Sequence, residues 1–223
     1  MAKQQENQQE LLLSKKVTKE SYNRMSKWYD AFSIFEKRYK KIGLKLLDSK
    51  LGESILEIGF GTGDSIISIA KKVGFDGSVN GIDISDGMIE KTRRKIKRKK
   101  VGQPIHILCG DASSLPYKRS AFDKILISFT IELFNLEEIP VVLSESSRVL
   151  QNKGLICVVT LSKRKTNYIV KIYEWFHRKY PNLIDCRPIY IRDHLKNANF
   201  VIMDIKEMNM WGLPVDVILA KKT

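Results

Sequence analysis

The segment Ile55-Leu56-Glu57-Ile58-Gly59-Phe60-Gly61-Thr62-Gly63-Asp64 runs an apolar strand into three alternate glycines flanked by acids. Each glycine has a physical use there. Gly59 permits a tight turn off the strand, Gly61 lets the backbone approach a ligand, and Gly63 lets a helix start close to the sheet. The free N–H groups of that helix start suit a negatively charged group. A dinucleotide site prefers Gly-x-Gly-x-x-Gly. Here the third glycine comes one residue early, and Asp64 stands where the last would be. A carboxylate at that position repels a pyrophosphate. Glu57, at the strand end, favours a ligand that carries an ammonium group.

Two more acids follow at matching places. Asp83 closes Val79-Asn80-Gly81-Ile82-Asp83, and Asp111 lies in Gly110-Asp111-Ala112. A carboxylate at the tip of a second strand can accept both hydroxyls of a ribose. One at the tip of a third can accept from the exocyclic amine of adenine. Ser128-Phe129, after a fourth strand, should pass the reacting atom. An adenosyl compound with an amine, a carboxylate and a sulfonium but no phosphate fits this set, so S-adenosylmethionine is the expected cofactor. Methyl transfer from a sulfonium is an in-line displacement, in which positioning and exclusion of water do most of the work. A base is needed only for a hydroxyl or acidic carbon acceptor. His177 is the histidine singled out for that role, with Asp30 and Glu132 as alternatives whose bland roles are capping and surface. His106 reads as structural and His194 as exposed. No His/Cys cluster has metal-ligand spacing, so no metal is expected.

The elements that must position these residues alternate along the chain. Strands are expected at Ser54–Ile58, Ser78–Ile82, Ile105–Leu108, Lys124–Ile127 and Leu155–Leu161, with helices near Asp64–Lys72, Asp86–Lys99 and Glu137–Leu150. Such alternation implies crossover units and a parallel sheet covered on both faces. A helix at Ile191–Asn197 and strands at Val201–Glu207 and Val215–Ala220 follow. The last two join through Trp211-Gly212-Leu213-Pro214 as an antiparallel hairpin. The expected fold is therefore α/β: one Rossmann-like domain, a seven-stranded, mostly parallel sheet with its last strand antiparallel, and helices on both faces. Residues 1–16 read as a disordered polar tail and 17–223 as the single domain. Within it, 17–50 form cap helices with an aromatic stripe, and 162–190 form an insertion on the substrate side. Phe129, Tyr168, Tyr173, Trp175, Phe176, Tyr190 and Trp211 are the candidate apolar wall for an acceptor, each also explicable as core; Trp175, Tyr190 and Trp211 are the substrate candidates carried forward.

The chain has 223 residues, enough for one such domain and too few for two. No apolar run approaches bilayer-spanning length, and MAKQQENQQE lacks the apolar centre of a signal peptide. Cys109, Cys157 and Cys186 form no CxxC and read as buried free thiols in a reducing, cytoplasmic compartment. The formal charge is +14, and eight of the ten residues Lys91–Lys100 are basic. The plain reading is the solvated C-terminal end of a helix. Peripheral contact with an anionic membrane surface is the main alternative. A nucleic-acid acceptor is disfavoured, because Ser128-Phe129-Thr130-Ile131 replaces the Asn/Asp-Pro-Pro-Tyr/Phe of base-amine methylating enzymes. A non-catalytic binding module with the same fold stays open, and oligomeric state is not legible.

With these residues in view, the chain from about Ser21 onward resembles the class I methyltransferases. It is most similar to the branch acting on ubiquinone and menaquinone precursors. The resemblance rests on Trp28-Tyr29-Asp30, Leu56-Glu57-Ile58-Gly59-Phe60-Gly61-Thr62-Gly63, Gly81-Ile82-Asp83-Ile84-Ser85 with Met88, and Gly110-Asp111-Ala112 before Leu115-Pro116. Arg148-Val149-Leu150-Gln151-Asn152-Lys153-Gly154 matches the family's helix-to-strand turn without its usual proline. The resemblance implies that Glu57, Gly59, Gly61, Gly63, Asp83, Ile84, Asp111 and Ala112 contact the cofactor. It implies that Met88, Ser128 and Phe129 border it and that Tyr29 closes over it. The acceptor it implies is small and ring-bearing or lipid-like. The Ser162–Tyr190 insertion departs from the quinone-type pattern, and within it Trp175–Pro181 with Asp185–Tyr190 reads as the mark of a distinct subgroup.

Overall fold

Strand β1 (Ser54–Ile58) sends Leu56 and Ile58 to one face and Ile55 to the other, all buried, as a strand covered on both sides requires. The computed structural model describes residues 29–164 and 187–223. Helix α1 (Tyr29–Leu47) precedes β1. After it come α2 (Asp64–Val73), β2 (Ser78–Asp83), α3 (Asp86–Arg98), β3 (Ile105–Cys109) and β4 (Phe122–Ser128). A short 3-10 turn (Ile131–Leu133), α4 (Glu138–Val149) and β5 (Leu150–Leu161) follow, then α5 (Ile191–Asn197), β6 (Phe200–Met210) and β7 (Leu213–Lys222).

Among the described residues, seven strands form one sheet in the order β3-β2-β1-β4-β5-β7-β6. The pairs among β1 to β5 are parallel, and β7 runs antiparallel to both its neighbours. Helices α1, α2 and α3 pack on one face, and α4 and α5 on the other. The expected mixed sheet with two covered faces is therefore present. The hairpin's first strand, β6, takes the sheet edge, and β7 inserts beside β5. Burial explains the placement: Leu213 to Ile218 are all buried, whereas β6 alternates between exposed and half-buried residues. The loop is only Trp211-Gly212, because Leu213 and Pro214 already pair with Met210 and Asn209. Strand β5 begins earlier than expected, at Leu150, with a register shift opposite Phe122/Lys124 and Lys153 at φ 64°.

Chain order reverses in the sheet between β1 and β4, so a crevice opens above their carboxyl ends. Register aligns Ile58 with Ile82 and Ile127, and Asp83 with Cys109, so these ends form one rim. Helix α1 lies close to β5 at Gly43, where an added Cβ would stand 2.6 Å from Val159. Cys157 is buried there, its thiol donating to the Gly43 carbonyl at 3.4 Å. Cys109, in contrast to the expectation of a buried thiol, is exposed, because β3 is the other sheet edge. His106 is exposed on the same edge. Cys186 lies outside the described residues.

A buried ion cluster locks the hairpin to the end of β5. Asp216 of β7 is fully buried and pairs with Arg164 and with Arg192 Nε at 3.0 Å. The Ser162 hydroxyl donates to it at 2.9 Å. Arg164 also donates to the carbonyls of Met208 (2.9 Å) and Val215 (3.2 Å). Removing one partner of such a cluster strands the others without water. Asp216→Ala should therefore cost about 3 kcal/mol, read in urea unfolding as a lower midpoint at unchanged slope.

Candidate functional site

The glycine bend is held from three sides. Gly59, Gly61 and Gly63 all have positive φ (71°, 52° and 79°), a region that L side chains rarely enter. The Gly59 N–H donates to the Ile82 carbonyl at 2.8 Å. A Cβ on Gly59 would sit 2.2 Å from Thr130 Oγ1, so the first glycine also answers a close approach from the β4 loop. Gly63 is the N-cap of α2 and has a second constraint besides. It packs against α3, where an added Cβ would meet Thr92 at 2.5 Å. Thr92 in turn donates its hydroxyl to the Gly61 carbonyl at 2.9 Å.

Asp83 completes the bend. Its Oδ2 accepts the Gly61 N–H at 2.9 Å and its Oδ1 accepts the Ser85 N–H at 3.0 Å. Burial raises its pKa and these two N–H groups oppose the rise. Each oxygen keeps a further lone pair for a ligand. Ser85 caps α3 by accepting the Met88 N–H at 3.3 Å, which sets Met88 beside the bend. Asp111 turns the chain after β3 by accepting the Ser113 N–H at 2.8 Å.

An open cleft lies over these groups, with an internal volume of about 120 Å³. Its lining includes eight of the expected cofactor residues: Gly59, Gly61, Asp83, Ile84, Met88, Asp111, Ala112 and Phe129. Thr130, Leu133, Phe134, Asn135 and Glu138 complete the far wall and were not singled out from sequence. Their one sequence signal is position, directly after a strand's carboxyl end. Phe129 is 3% exposed at φ 50°, which turns the chain sharply into that wall. No Lys or Arg lines the cleft among the described residues, whereas Asp83, Asp111 and Glu138 do. Asp64 is spoken for: Lys95 Nζ lies at 3.0 Å and Lys99 at 3.7 Å. Selection against phosphate therefore rests on the three acids of the lining and not on Asp64.

Glu57 and Ser128 sit under the lining, not in it. Both are buried, and Glu57 Oε2 and Ser128 Oγ have no hydrogen-bond partner among the described residues. Burial pushes the Glu57 carboxyl up to about 8, against the pull of Lys40, with Asp83 and Asp64 adding to the rise. Glu132, also buried, is pushed up to about 7. Its Oε1 accepts the Leu161 N–H at 3.3 Å, so it faces the end of β5.

Two substrate candidates are not brought to the cleft. Tyr190 is exposed, with Lys163 Nζ 5.6 Å above its ring, and Trp211 is exposed at the tip of the hairpin. Trp211 faces outward because the two-residue loop ends the hairpin beyond the last paired residues. Tyr190 does so because it stands just ahead of α5, whose apolar side takes Ile191 and Leu195 instead. His177 and Trp175 lie outside the described residues. Tyr29 and Asp30 open α1, and their side chains are likewise outside them. Arg187 enters unannounced, donating from Nη2 to the Phe134 carbonyl at 2.6 Å at the cleft wall.

The raised carboxyls carry a pH signature. Unfolded, Glu57 titrates near 4.5, and folded, near 8. Between these values the folded state holds the extra proton, so stability falls as pH rises through that window and levels off above it. One such group contributes a slope of at most about 1.4 kcal/mol per pH unit. Glu132 adds the same sign between 4.5 and about 7. Glu57→Gln should flatten the fall above pH 7, seen in thermal midpoints measured across the range.

Comparison with known proteins agrees with this geometry. Residues 3–185 match the ubiE/COQ5 methyltransferase family. A demethylmenaquinone methyltransferase of Lactobacillus johnsonii is 34% identical over 145 residues, 65% of this chain and 58% of that protein. One from Staphylococcus aureus is 30% identical over 172 residues, 73% of this chain and 69% of that protein. The chain thus spans less than two thirds of the first relative's length. Magnesium protoporphyrin IX methyltransferase of Synechocystis, solved with bound SAH, superposes with a TM-score of 0.71 at 15% identity, over 94% of this chain and 100% of that one. At that identity the likeness is one of fold. With its glycine bend, its rim of acids and a family match over most of its length, this chain belongs to the ubiE/COQ5 methyltransferase family.

Proposed function

We propose that this chain is an S-adenosylmethionine-dependent methyltransferase whose acceptor is a small, ring-bearing, lipid-like molecule of the demethylated quinol type. The observation that carries the reading is the cleft itself: acids and bare glycine backbone around it, and no Lys or Arg in its described lining. That favours a cationic adenosyl ligand over a phosphate-bearing one. The names of the relatives support the choice of acceptor.

The residues present fit the cofactor. Glu57 Oε2 is buried and lacks a hydrogen-bond partner among the described residues, two positions before Gly59. An ammonium group close by favours its ionised form, so binding should draw a proton off it. Asp83 has lone pairs left for ribose hydroxyls, and Asp111 stands where an adenine amine can donate. Ile84, Met88 and Ala112 offer the apolar sides of a purine slot. When bound, the cofactor supplies an electrophilic methyl group on a sulfonium. Phe129, Leu133 and Phe134 hold an apolar acceptor ring against that side of the cleft and keep water out. A quinol acceptor gives up one proton, net, as its ring carbon takes the methyl group, so a base is needed. His177 and Asp30 are our candidates, with Glu132 held near neutrality as a third. We place the enzyme in the cytoplasm, a reducing compartment that suits its free Cys109 and Cys157.

The test uses methyl-labelled cofactor with a reduced demethylated quinone and, separately, with total RNA. Label should enter the quinone fraction. Label confined to RNA would reject the acceptor. In the same assay Asp83→Ala should weaken cofactor binding by calorimetry about tenfold or more, the scale of a lost charge-assisted pair of hydrogen bonds. Unchanged affinity in a folded variant would remove Asp83 from the site.

A further inference from the structure

Trp211 occupies a place that suits it badly on two counts. It is the first of two residues in the β6–β7 turn, with φ 52°, followed by Gly212 at φ 86°. Positive φ at both positions is the geometry for which Asn-Gly or Gly-Gly is preferred, and a bulky side chain there is strained. The indole is also 63% exposed, so it gains little burial in return. Its partner is Phe35 of α1, itself 50% exposed, with ring centroids 4.5 Å apart at 66°. Two large aromatic rings thus stand together in water, on the carboxyl-end rim that carries the cleft. Isolated exposed apolar residues need no explanation, but a strained and paired one does.

The surface beside the pair is basic. On α1, Arg38, Lys41 and Lys45 are exposed at helical spacing, on the side away from buried Tyr39, Gly43 and Leu47. None of the three has an ion pair among the described residues. The acid of that stretch, Glu36, is buried and paired with Lys40 at 2.7 Å. The stripe therefore carries an unbalanced positive charge down from the aromatic rim, in a chain of net charge +14.

We propose that the Phe35–Trp211 pair, with Arg38, Lys41 and Lys45, is a docking edge for the surface of an anionic lipid bilayer. Indole and phenyl rings at a protein tip suit the headgroup boundary, and long basic side chains above them reach lipid phosphates. A polyanion such as RNA would use the charges but leaves the strained hairpin tip without a reason. Docking on this edge turns the carboxyl-end rim toward the bilayer, so that an apolar acceptor can pass to the cleft. In that respect the inference rests on the proposed lipid-like acceptor, although the binding itself can be measured without it. The basic end of α3, at Lys97 to Lys100, belongs to a helix packed on β2 and β3, across the sheet from β6 and β7, and is not part of this edge.

The experiment is co-sedimentation of the full chain with phosphatidylcholine vesicles, with and without phosphatidylglycerol. Binding should require the anionic lipid and weaken with salt. Trp211→Asn is the informative variant, because Asn-Gly suits the turn. It should lower vesicle affinity about tenfold while leaving the thermal midpoint unchanged or higher. Arg38→Glu with Lys41→Glu should abolish the salt-sensitive part. Cofactor binding should be unaffected in both. The proposal is overturned if the wild-type chain ignores both kinds of vesicle. It is equally overturned if Trp211→Asn lowers the midpoint and leaves vesicle binding intact, which makes the pair structural, or if only RNA binding responds to the variants. Methylation of a water-soluble, tail-less quinol separates the two readings. If it proceeds while vesicles are not bound, only the docking edge fails. If vesicles are bound and no acceptor is methylated, only the acceptor reading fails.

Discussion

Asp83, at the end of β2, takes the Gly61 N–H on one oxygen and the Ser85 N–H on the other, and so holds two turns with one carboxylate. The bend of β1 and the start of α3 are fixed to each other through it. Thr92 closes the arrangement by donating back to the Gly61 carbonyl. The three positive-φ positions are open to glycine because it has no Cβ, and these partners satisfy the Gly61 backbone groups that leave the sheet there. Met88, Ile84 and the Asp111 turn are then placed relative to one rigid frame. The cleft is a product of this bracing more than of any single residue that lines it.

The same bracing sets the electrostatics. A carboxylate anchored by backbone donors stays in the low-dielectric rim of the sheet, where Glu57 lies just beneath it. Burial and the neighbouring Asp83 charge leave Glu57 protonated near neutrality, with one oxygen unpaired among the described residues. Such a group is costly to the fold, and in the function proposed above a cationic ligand offsets that cost. Asp216 shows the opposite solution a short way along the rim. Its charge is met by two arginines and a hydroxyl, and it serves to fasten the hairpin to the end of β5.

Much of the site could be read from the chain alone. Glu57, the glycines, Asp83 and Asp111 each stand at a strand's carboxyl end, and period and spacing are local properties. The far wall could not. Thr130, Phe134 and Asn135 belong to a loop of unremarkable composition, with Glu138 opening α4 just after it, and the loop's closeness to Gly59 depends on β4 pairing beside β1. Trp211 and Tyr190 are exposed and outside the cleft lining for the converse reason. An aromatic side chain in sequence looks the same whether its ring turns into a core or out of it.

What the sequence determined by itself is the set of elements and the chemical bias of their ends: apolar alternation writes strands, and Gly, Asp and Ser write the turns. Short-range backbone sterics and local hydrogen bonding are enough for that. Tertiary structure alone decided that β7 inserts between β5 and β6, that Gly63 yields to Thr92, that Asp64 is neutralised by Lys95, and that Glu57 is cut off from water. Each of these depends on contacts between residues distant along the chain. Burial, and with it the local dielectric, is a property of the packed whole.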